Sequence, residues 1–167
     1  MEPVSYRHLE HLIALKSDPR VFAIMLGGVR VPVQVVEELA AEMTMWSRRG
    51  VGIWAVFEGR AFVGITGFME RADGRGIALR FAFSPESRGR GLAREAAGAA
   101  LRFAHEVAGL PRVIAVARED NIDSRTVLGA IGMRYCESFR RDGYRMLVFE
   151  SVSRSAQPGA AGLTAPP

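Results

Sequence analysis

Apolar side chains follow two different periods along this chain, and the change from one period to the other predicts its elements. Alternation over residues 76–83 predicts a central strand, and similar stretches predict strands at 52–57, 61–69, 112–117, 133–139 and 144–150. A spacing of three to four residues predicts helices at 5–16, 33–49, 91–107 and 121–131, and a short apolar segment occupies 21–26. The apolar face of the second helix is predicted to comprise Val36, Leu39, Ala40, Met43 and Trp46.

The order of these elements indicates the fold class. A helix connects the central strand to the strand at 112–117, and such a crossover joins two parallel neighbours in one sheet. The other strands follow one another through short turns, which favour antiparallel pairing. The predicted fold class is therefore α/β (α+β), with a mixed, mostly antiparallel sheet flanked by helices.

Length and composition indicate one domain followed by a tail. The chain has 167 residues, 49% of them hydrophobic, which is enough for one domain with a substantial core. We assign that domain to residues 1–152. Residues 153–167 (SRSAQPGAAGLTAPP) show no apolar period, and their composition predicts a disordered tail.

Charge and cysteine content argue against several classes of function. The net charge of +4 suits a phosphate-bearing ligand, but no basic tract interleaves with aromatics, so no nucleic-acid partner is predicted. Cys136 is the only cysteine, which excludes an intrachain disulfide and a zinc cluster; no metal is predicted. The chain has no apolar run of about 18 residues and no signal-peptide pattern, so we expect a cytoplasmic protein without a membrane partner.

The stretch after the central strand predicts an anion site. Ser84 and Pro85 end the strand, a glycine-rich turn follows, and a helix begins directly after it. Unpaired N–H groups and the positive end of the helix dipole would meet there, an arrangement that binds phosphate groups. The candidate residues are Arg88, Gly89, Arg90, Gly91, Leu92 and Ala93.

Two familiar phosphate-binding motifs do not explain this turn. A dinucleotide-binding fingerprint requires a third glycine, which is missing after Gly89 and Gly91, and an acidic residue at the end of a second strand. A P-loop requires Gly-Lys-Ser/Thr, which is absent.

Two motifs in order resemble the GNAT superfamily of acyl-CoA-dependent N-acetyltransferases. The stretch 88–93 fits the pattern Gln/Arg-x-x-Gly-x-Gly/Ala of that family's pyrophosphate loop, placed between a strand and a helix. About thirty residues later, Asn121, Ser124, Leu128, Gly132 and Met133 fit the helix pattern Asn-x-x-Ser…Leu-x-x-x-Gly-Phe/Met. That second pattern is typical of the branch containing the ribosomal-protein N-terminal acetyltransferases. The resemblance covers residues 5–149.

The resemblance implies a fold, a cofactor and a reaction. It implies a six- to seven-stranded sheet whose parallel strand pair splays apart, and acetyl-CoA (coenzyme A) as the cofactor. The loop at 88–93 would hold the pyrophosphate, and the backbone of Phe81, Ala82 and Phe83 would pair with the pantetheine arm. An N–H near Phe83 would polarise the thioester carbonyl. A primary amine, on a protein N-terminus or a small molecule, would attack directly in a ternary complex.

The resemblance also suggests roles for two polar residues of the last helix. Ser124 would protonate or hydrogen-bond the leaving thiolate, and Asn121 would hold the pantetheine arm, cap the helix, or both. The family's usual tyrosine is replaced by Leu128. Ser124 and Asn121 are therefore the predicted catalytic residues.

The general base and the acceptor pocket are less defined. Ala78 stands where relatives often carry a glutamate, so Glu70 and Asp73 are candidate bases acting through water, or no protein base is used. Trp54 or Phe68 is a candidate for the acceptor pocket. The missing tyrosine and glutamate motivate an alternative function, a non-catalytic acyl-CoA-binding or regulatory module.

The start of the chain departs from the family pattern. Relatives usually begin with a strand, but only residues 1–4 precede the first predicted helix. The first strand is therefore expected to be missing or very short, which would leave a sheet edge for a partner chain. A homodimer is a hypothesis that follows from this edge.

Overall fold

A computed structural model describes residues 1–153. The predicted disordered tail lies outside the described residues, apart from Ser153. The backbone N–H of Ser153 donates to the carbonyl oxygen of Pro111 at 2.9 Å. Among residues 1–153, no helix combines the length and the apolar character needed to cross a bilayer.

Residues 1–153 contain seven strands and five α-helices, which follow the predicted order, with a short helix in the apolar segment after the first helix. The strands are β1 Glu2–Pro3, β2 Ile53–Glu58, β3 Ala61–Glu70, β4 Ile77–Phe83, β5 Arg112–Arg118, β6 Arg134–Arg141 and β7 Tyr144–Val152. The helices are α1 Leu9–Lys16, α2 Pro19–Phe22, α3 Pro32–Arg49, α4 Leu92–Glu106 and α5 Ile122–Ala130. Single 3₁₀ turns precede α1 and follow β4.

The strands form one mixed sheet in the order β1-β2-β3-β4-β5-β7-β6. Among the strands of residues 1–153, only β4 and β5 run parallel; the other neighbours are antiparallel. The fold class is confirmed. Of the two expectations for the first strand, the very short one is correct, because Glu2 and Pro3 pair with Ala55 and Trp54 of β2.

The parallel pair is open along most of its length. β4 and β5 share a single registered pair, Ala78 with Ile114, whereas β4 pairs with β3 from Ile77 to Phe83. β5 pairs with β7 over all its residues. Each strand is therefore fixed on its outer side while the gap between them widens beyond Ala78, which confirms the splayed pair.

Helices cover both faces of the sheet. Helices α4 and α5 pack on a cluster that contains Trp54, Phe68 and Leu79, while α1 and α3 pack over a second cluster that contains Ile65 and Ala82. Trp54 also stands edge-on to Trp46 with ring centroids 4.6 Å apart. Trp54 and Phe68 are therefore core residues.

The apolar face predicted for α3 is confirmed at Leu39, Met43 and Trp46, which pack in the core clusters, and is wrong at Val36 and Ala40, which are exposed. The buried stripe of α3 consists of Val35, Leu39 and Glu42, whereas Val36 is 39% exposed. The stripe includes Glu42 because a cation faces it. The Lys16 ammonium on α1, which is 1% exposed, donates to Glu42 Oε1 at 2.8 Å and to Glu38 Oε2 at 2.9 Å.

Removing Lys16 should destabilise the fold far more than removing a surface cation. A buried ion pair adds little net stability, but deleting one partner leaves an uncompensated buried charge, which costs about 3–5 kcal/mol. We expect a loss of about that size for Lys16→Met in urea unfolding, and partial recovery in Lys16→Met/Glu42→Leu.

The matched control is Arg49→Met, which breaks the exposed Arg49–Glu70 ion pair. Its expected cost is below about 1 kcal/mol, because surface pairs are well solvated. Equal unfolding midpoints for Lys16→Met and Arg49→Met would contradict the assignment.

Candidate active site

The turn before α4 presents a row of unpaired backbone donors. Gly89 and Gly91 adopt φ angles of 73° and 77°, which residues with a Cβ rarely adopt. The first backbone bond of the helix runs from the Glu95 N–H to the Gly91 carbonyl at 3.0 Å. Within residues 1–153, the N–H groups of residues 89–94 make no hydrogen bond. These donors lie at the positive end of a 15-residue helix and suit an anion.

A cleft of about 450 Å³, which we call the helix cleft, adjoins this turn. It runs between the end of β4, the start of α4 and the start of α5. Seven of the predicted site residues line it: Phe81, Ala82, Phe83, Arg88, Ala93, Asn121 and Ser124. The sequence-based set is therefore largely brought together in space.

The remaining predicted residues do not line the helix cleft. Gly91 lines a separate groove on the outer side of α4, and Leu92 packs against a small cluster with Val56 and Val63. Arg90 forms an ion pair with Glu58. Arg88 donates from its guanidinium to the Arg20 carbonyl oxygen at 2.8 Å, at the wall of the cleft.

The edge of β4 along the helix cleft carries free donors. The Ser84 N–H donates to the Val63 carbonyl of β3 at 2.9 Å. Because N–H directions alternate along a strand, those of Phe81 and Phe83 point the other way, toward β5. β5 has diverged from β4 at this level, since the registered pairing of these strands is at Ala78. Two backbone donors therefore face the opening between the strands.

Asn121 and Ser124 begin α5 at the same opening. Asn121 Oδ1 accepts a hydrogen bond from the Ser124 N–H at 3.1 Å, so the capping role considered for Asn121 is confirmed. The half-buried Ser124 hydroxyl makes no hydrogen bond to any residue in the described part of the chain. That hydroxyl is therefore available to a ligand.

A second cavity, of about 620 Å³, lies on the other side of this opening. We call it the arginine cavity, because its wall includes Arg30, Arg71, Arg80, Arg118 and Arg141. The helix cleft and the arginine cavity share Ile24, Met25, Phe81, Asn121 and Ser124. The two spaces therefore meet between the splayed strands.

The carboxylates at the arginine cavity are poorly suited to act as bases. A side-chain hydrogen bond from Arg71 lowers the pKa of Asp73 to about 2, so this carboxylate holds no proton at neutral pH and attracts one weakly. Glu70 is exposed and pairs with Arg49. The positions of the family's glutamate and tyrosine hold buried Ala78 and Leu128.

Sequence reasoning missed the arginines of this second cavity. Arg80 belongs to the central strand, on the same face as the buried residues Ala78 and Ala82. A charged residue at an inward-facing strand position was the available signal. Arg30 and Arg118 come from distant loops and strand ends, and nothing in their local sequence connects them with Arg80.

A sheet opened between two parallel strands, with a donor-rich turn after the first and a polar helix after the second, defines the class of CoA-dependent acyltransferases. The family described as Acetyltransferase (GNAT) domain matches residues 1–134 of this chain. The chain belongs to this family of acetyltransferases, as its motifs indicated.

Relatives support that membership. The FsC-acetyl coenzyme A-N(2)-transacetylase of Aspergillus fumigatus is 28% identical over 151 residues, covering 82% of this chain and 63% of that protein. The chain thus spans less than two thirds of this curated relative.

Solved structures share the fold. The structure of a candidate GNAT-family acetyltransferase from Bordetella pertussis superposes on this chain with a TM-score of 0.78 at 24% identity. The match covers 89% of this chain and 92% of that one. RimL, a ribosomal L7/L12 alpha-N-protein acetyltransferase in complex with coenzyme A, gives a TM-score of 0.73 at 11% identity, covering 93% and 94%.

Asn121 substitutions should separate the capping role from other roles. Asn121→Ala removes the acceptor for the Ser124 N–H and should lower the free energy of unfolding by about 1 kcal/mol. Asn121→Asp keeps an oxygen acceptor at the N-terminus of α5, so its unfolding midpoint in urea should stay near that of the parent. Equal losses in both variants would contradict the cap.

Proposed function

We propose that this protein transfers an acetyl group from acetyl-CoA to a primary amine. The observation that carries the proposal is the meeting of the helix cleft and the arginine cavity at Phe81, Asn121 and Ser124. A donor can enter from one side and an acceptor from the other. Membership of an acetyltransferase family supports the same chemistry.

The residues around the helix cleft fit acetyl-CoA. The free N–H groups of residues 89–94 suit a pyrophosphate, because they point from a helix N-terminus and no other described group accepts from them. The unpaired edge of β4 at Phe81–Phe83 offers backbone partners to an amide-bearing arm. When bound, acetyl-CoA supplies the activated acetyl thioester.

Backbone donors and a hydroxyl carry the chemistry that the chain itself can provide. The N–H groups of Phe81 and Phe83 are fixed by the β3–β4 ladder, so they are preorganised to stabilise negative charge on a carbonyl oxygen in the opening. The Ser124 hydroxyl is available to donate to a sulfur leaving group. Its high intrinsic pKa means that it acts as a hydrogen-bond donor or through water.

The acceptor amine must arrive largely deprotonated. Of the two carboxylates that line the arginine cavity, Asp73 has its pKa held low by Arg71, and Glu70 is bonded to Arg49, so we assign neither as a general base. The value of kcat/KM for the acceptor therefore depends on the fraction of the amine that is neutral. It rises with pH as the pH approaches the pKa of that amine.

Thiol release from acetyl-CoA across a panel of amines and N-terminal peptides tests the proposal. Release above background hydrolysis with at least one acceptor is expected. Coenzyme A binding without release on any acceptor would favour the alternative, a non-catalytic acyl-CoA-binding or regulatory module. The small-molecule and protein-N-terminal acceptors both belong in the panel. Homodimerisation and a cytoplasmic location stay predictions from the sequence.

A charge at the turn should abolish donor binding. Gly91→Glu places a carboxylate beside the free N–H groups of residues 89–94, so the Kd for coenzyme A in calorimetry should rise about tenfold or more.

The control for this change is Gly109→Glu, beyond the other end of α4. Gly109 also has a positive φ angle, 67°, and open space around its Cβ position, so backbone strain and added charge are matched. Its Kd for coenzyme A should stay near that of the parent. An unchanged Kd in Gly91→Glu would remove the turn from the binding site.

Loss of the Ser124 hydroxyl should affect turnover more than donor binding. Ser124→Ala should lower kcat by about tenfold to a hundredfold, since a hydrogen bond to a charged leaving group is worth about 1.5–3 kcal/mol, and leave the Kd for coenzyme A near its original value. Thr126→Ala on the exposed side of the same helix is the control. Full activity in Ser124→Ala would exclude the hydroxyl from the reaction.

A further inference from the structure

The ion pairs in the wall of the arginine cavity do not neutralise all of its positive charge. Four of its five arginines are paired with neighbouring carboxylates: Arg30 with Glu38, Arg71 with Asp73, Arg118 with Asp120 and Arg141 with Asp142. These pairs neutralise most of the wall. Arg80 is the remaining cation.

Arg80 has no carboxylate partner within ion-pair distance in the described chain. Its guanidinium Nη1 lies 2.8 Å from the sulfur of Met69, a weak acceptor that also lines the cavity. Among residues 1–153, no carboxylate oxygen lies within the 4.0 Å that defines an ion pair with it. Burial lowers the pKa of Arg80, yet a guanidinium stays charged because its ordinary pKa is so high. The cavity wall thus contains a charged, poorly solvated guanidinium whose N–H donors lack a strong acceptor.

The groups beneath the cavity cannot balance this charge. The carboxylates that act electrostatically on Arg80 are Glu42 and Glu38, and both are bonded to Lys16, with Glu38 also bonded to Arg30. Three cations and two carboxylates leave one positive charge in the cluster. An unbalanced charge in such surroundings is costly, and an anionic ligand would recover that cost.

We propose that the acceptor amine also carries a carboxylate, which Arg80 binds while the amine reaches the opening beside Phe81 and Ser124. A planar guanidinium matches a carboxylate with two parallel hydrogen bonds, which an amide or an ammonium group cannot reproduce. Phe81 follows Arg80 directly and lines both cavities, so the anion site adjoins the reaction site. This inference rests on the proposed function and narrows its acceptors to amines that also carry a carboxylate. A polycationic amine is disfavoured by the same charge.

Matched acceptors test the inference in the parent protein. Linear amino carboxylates of increasing length are compared with their carboxamides and with diamines in the thiol-release assay. At the best chain length we expect kcat/KM for the carboxylate to exceed that for the carboxamide by about tenfold or more, mainly through KM. Equal values, or a preference for diamines, would overturn the inference and leave the acetyltransferase proposal standing. No release with any amine would count against both.

Variants test whether Arg80 is the source of the preference for carboxylate acceptors. Arg80→Gln should bring the carboxylate-to-carboxamide ratio of kcat/KM close to one, mainly by raising KM for the carboxylate, and Arg80→Lys should restore part of the preference. Arg145→Gln, which removes an exposed guanidinium outside the cavity, should keep the full ratio. A full preference in Arg80→Gln would exclude Arg80 as the anion site.

A binding measurement that needs no turnover tests the anion site even if the Arg80 variants fold poorly. Butyrate, which has no amine, should raise the thermal midpoint of the parent protein more than butyramide does, in the presence of coenzyme A. Arg80→Gln, if its circular dichroism matches the parent, should lose this difference. Equal shifts with butyrate and butyramide in the parent would contradict the anion site on their own.

Discussion

The divergence of β4 from β5 is the constraint on which the site depends. A sheet normally satisfies every backbone donor and acceptor between neighbouring strands, and buried unpaired groups are costly. Here pairing stops at Ala78 and Ile114, while β3 and β7 hold the two strands from outside. The unpaired edge is stable because the scaffold around it is complete, and it supplies donors at fixed positions without any side chain.

The two sides of the opening present different kinds of binding group. In the proposed donor site, the available groups are backbone N–H groups of the turn before α4 and of β4. In the arginine cavity, the proposed acceptor site, they are side chains, including five arginines that five separate segments contribute. Backbone donors depend only on the path of the chain, so many sequences can supply them. The acceptor wall depends on residue identity, and it is where members of one fold can differ in what they modify.

Most of the fold and half of the site could be predicted from the sequence. Local signals were sufficient for the strands, the glycine turn and the cap at Asn121, because each depends on residues a few positions apart. The buried position of Glu42 on α3 could not be predicted, since it depends on Lys16, which opposes it from another helix. Arg80 could be noticed as a charged residue at an inward-facing strand position, but the charged groups that act on it, at residues 30, 38, 42 and 71, are distant from it in the sequence. A local pattern does not reveal which charges the fold brings together.

Lys16 has one more consequence, which concerns the protein's own surface. It is the only lysine of the chain, and its ammonium is enclosed between α1 and α3. The proposed donor, acetyl-CoA, is a thioester, and thioesters acylate exposed lysine side chains without any catalyst, so a protein that binds one is itself a potential target. With every surface cation an arginine or a histidine, the folded chain offers no lysine for this side reaction. Amine-directed labelling will therefore also leave its side chains unmodified until the protein unfolds.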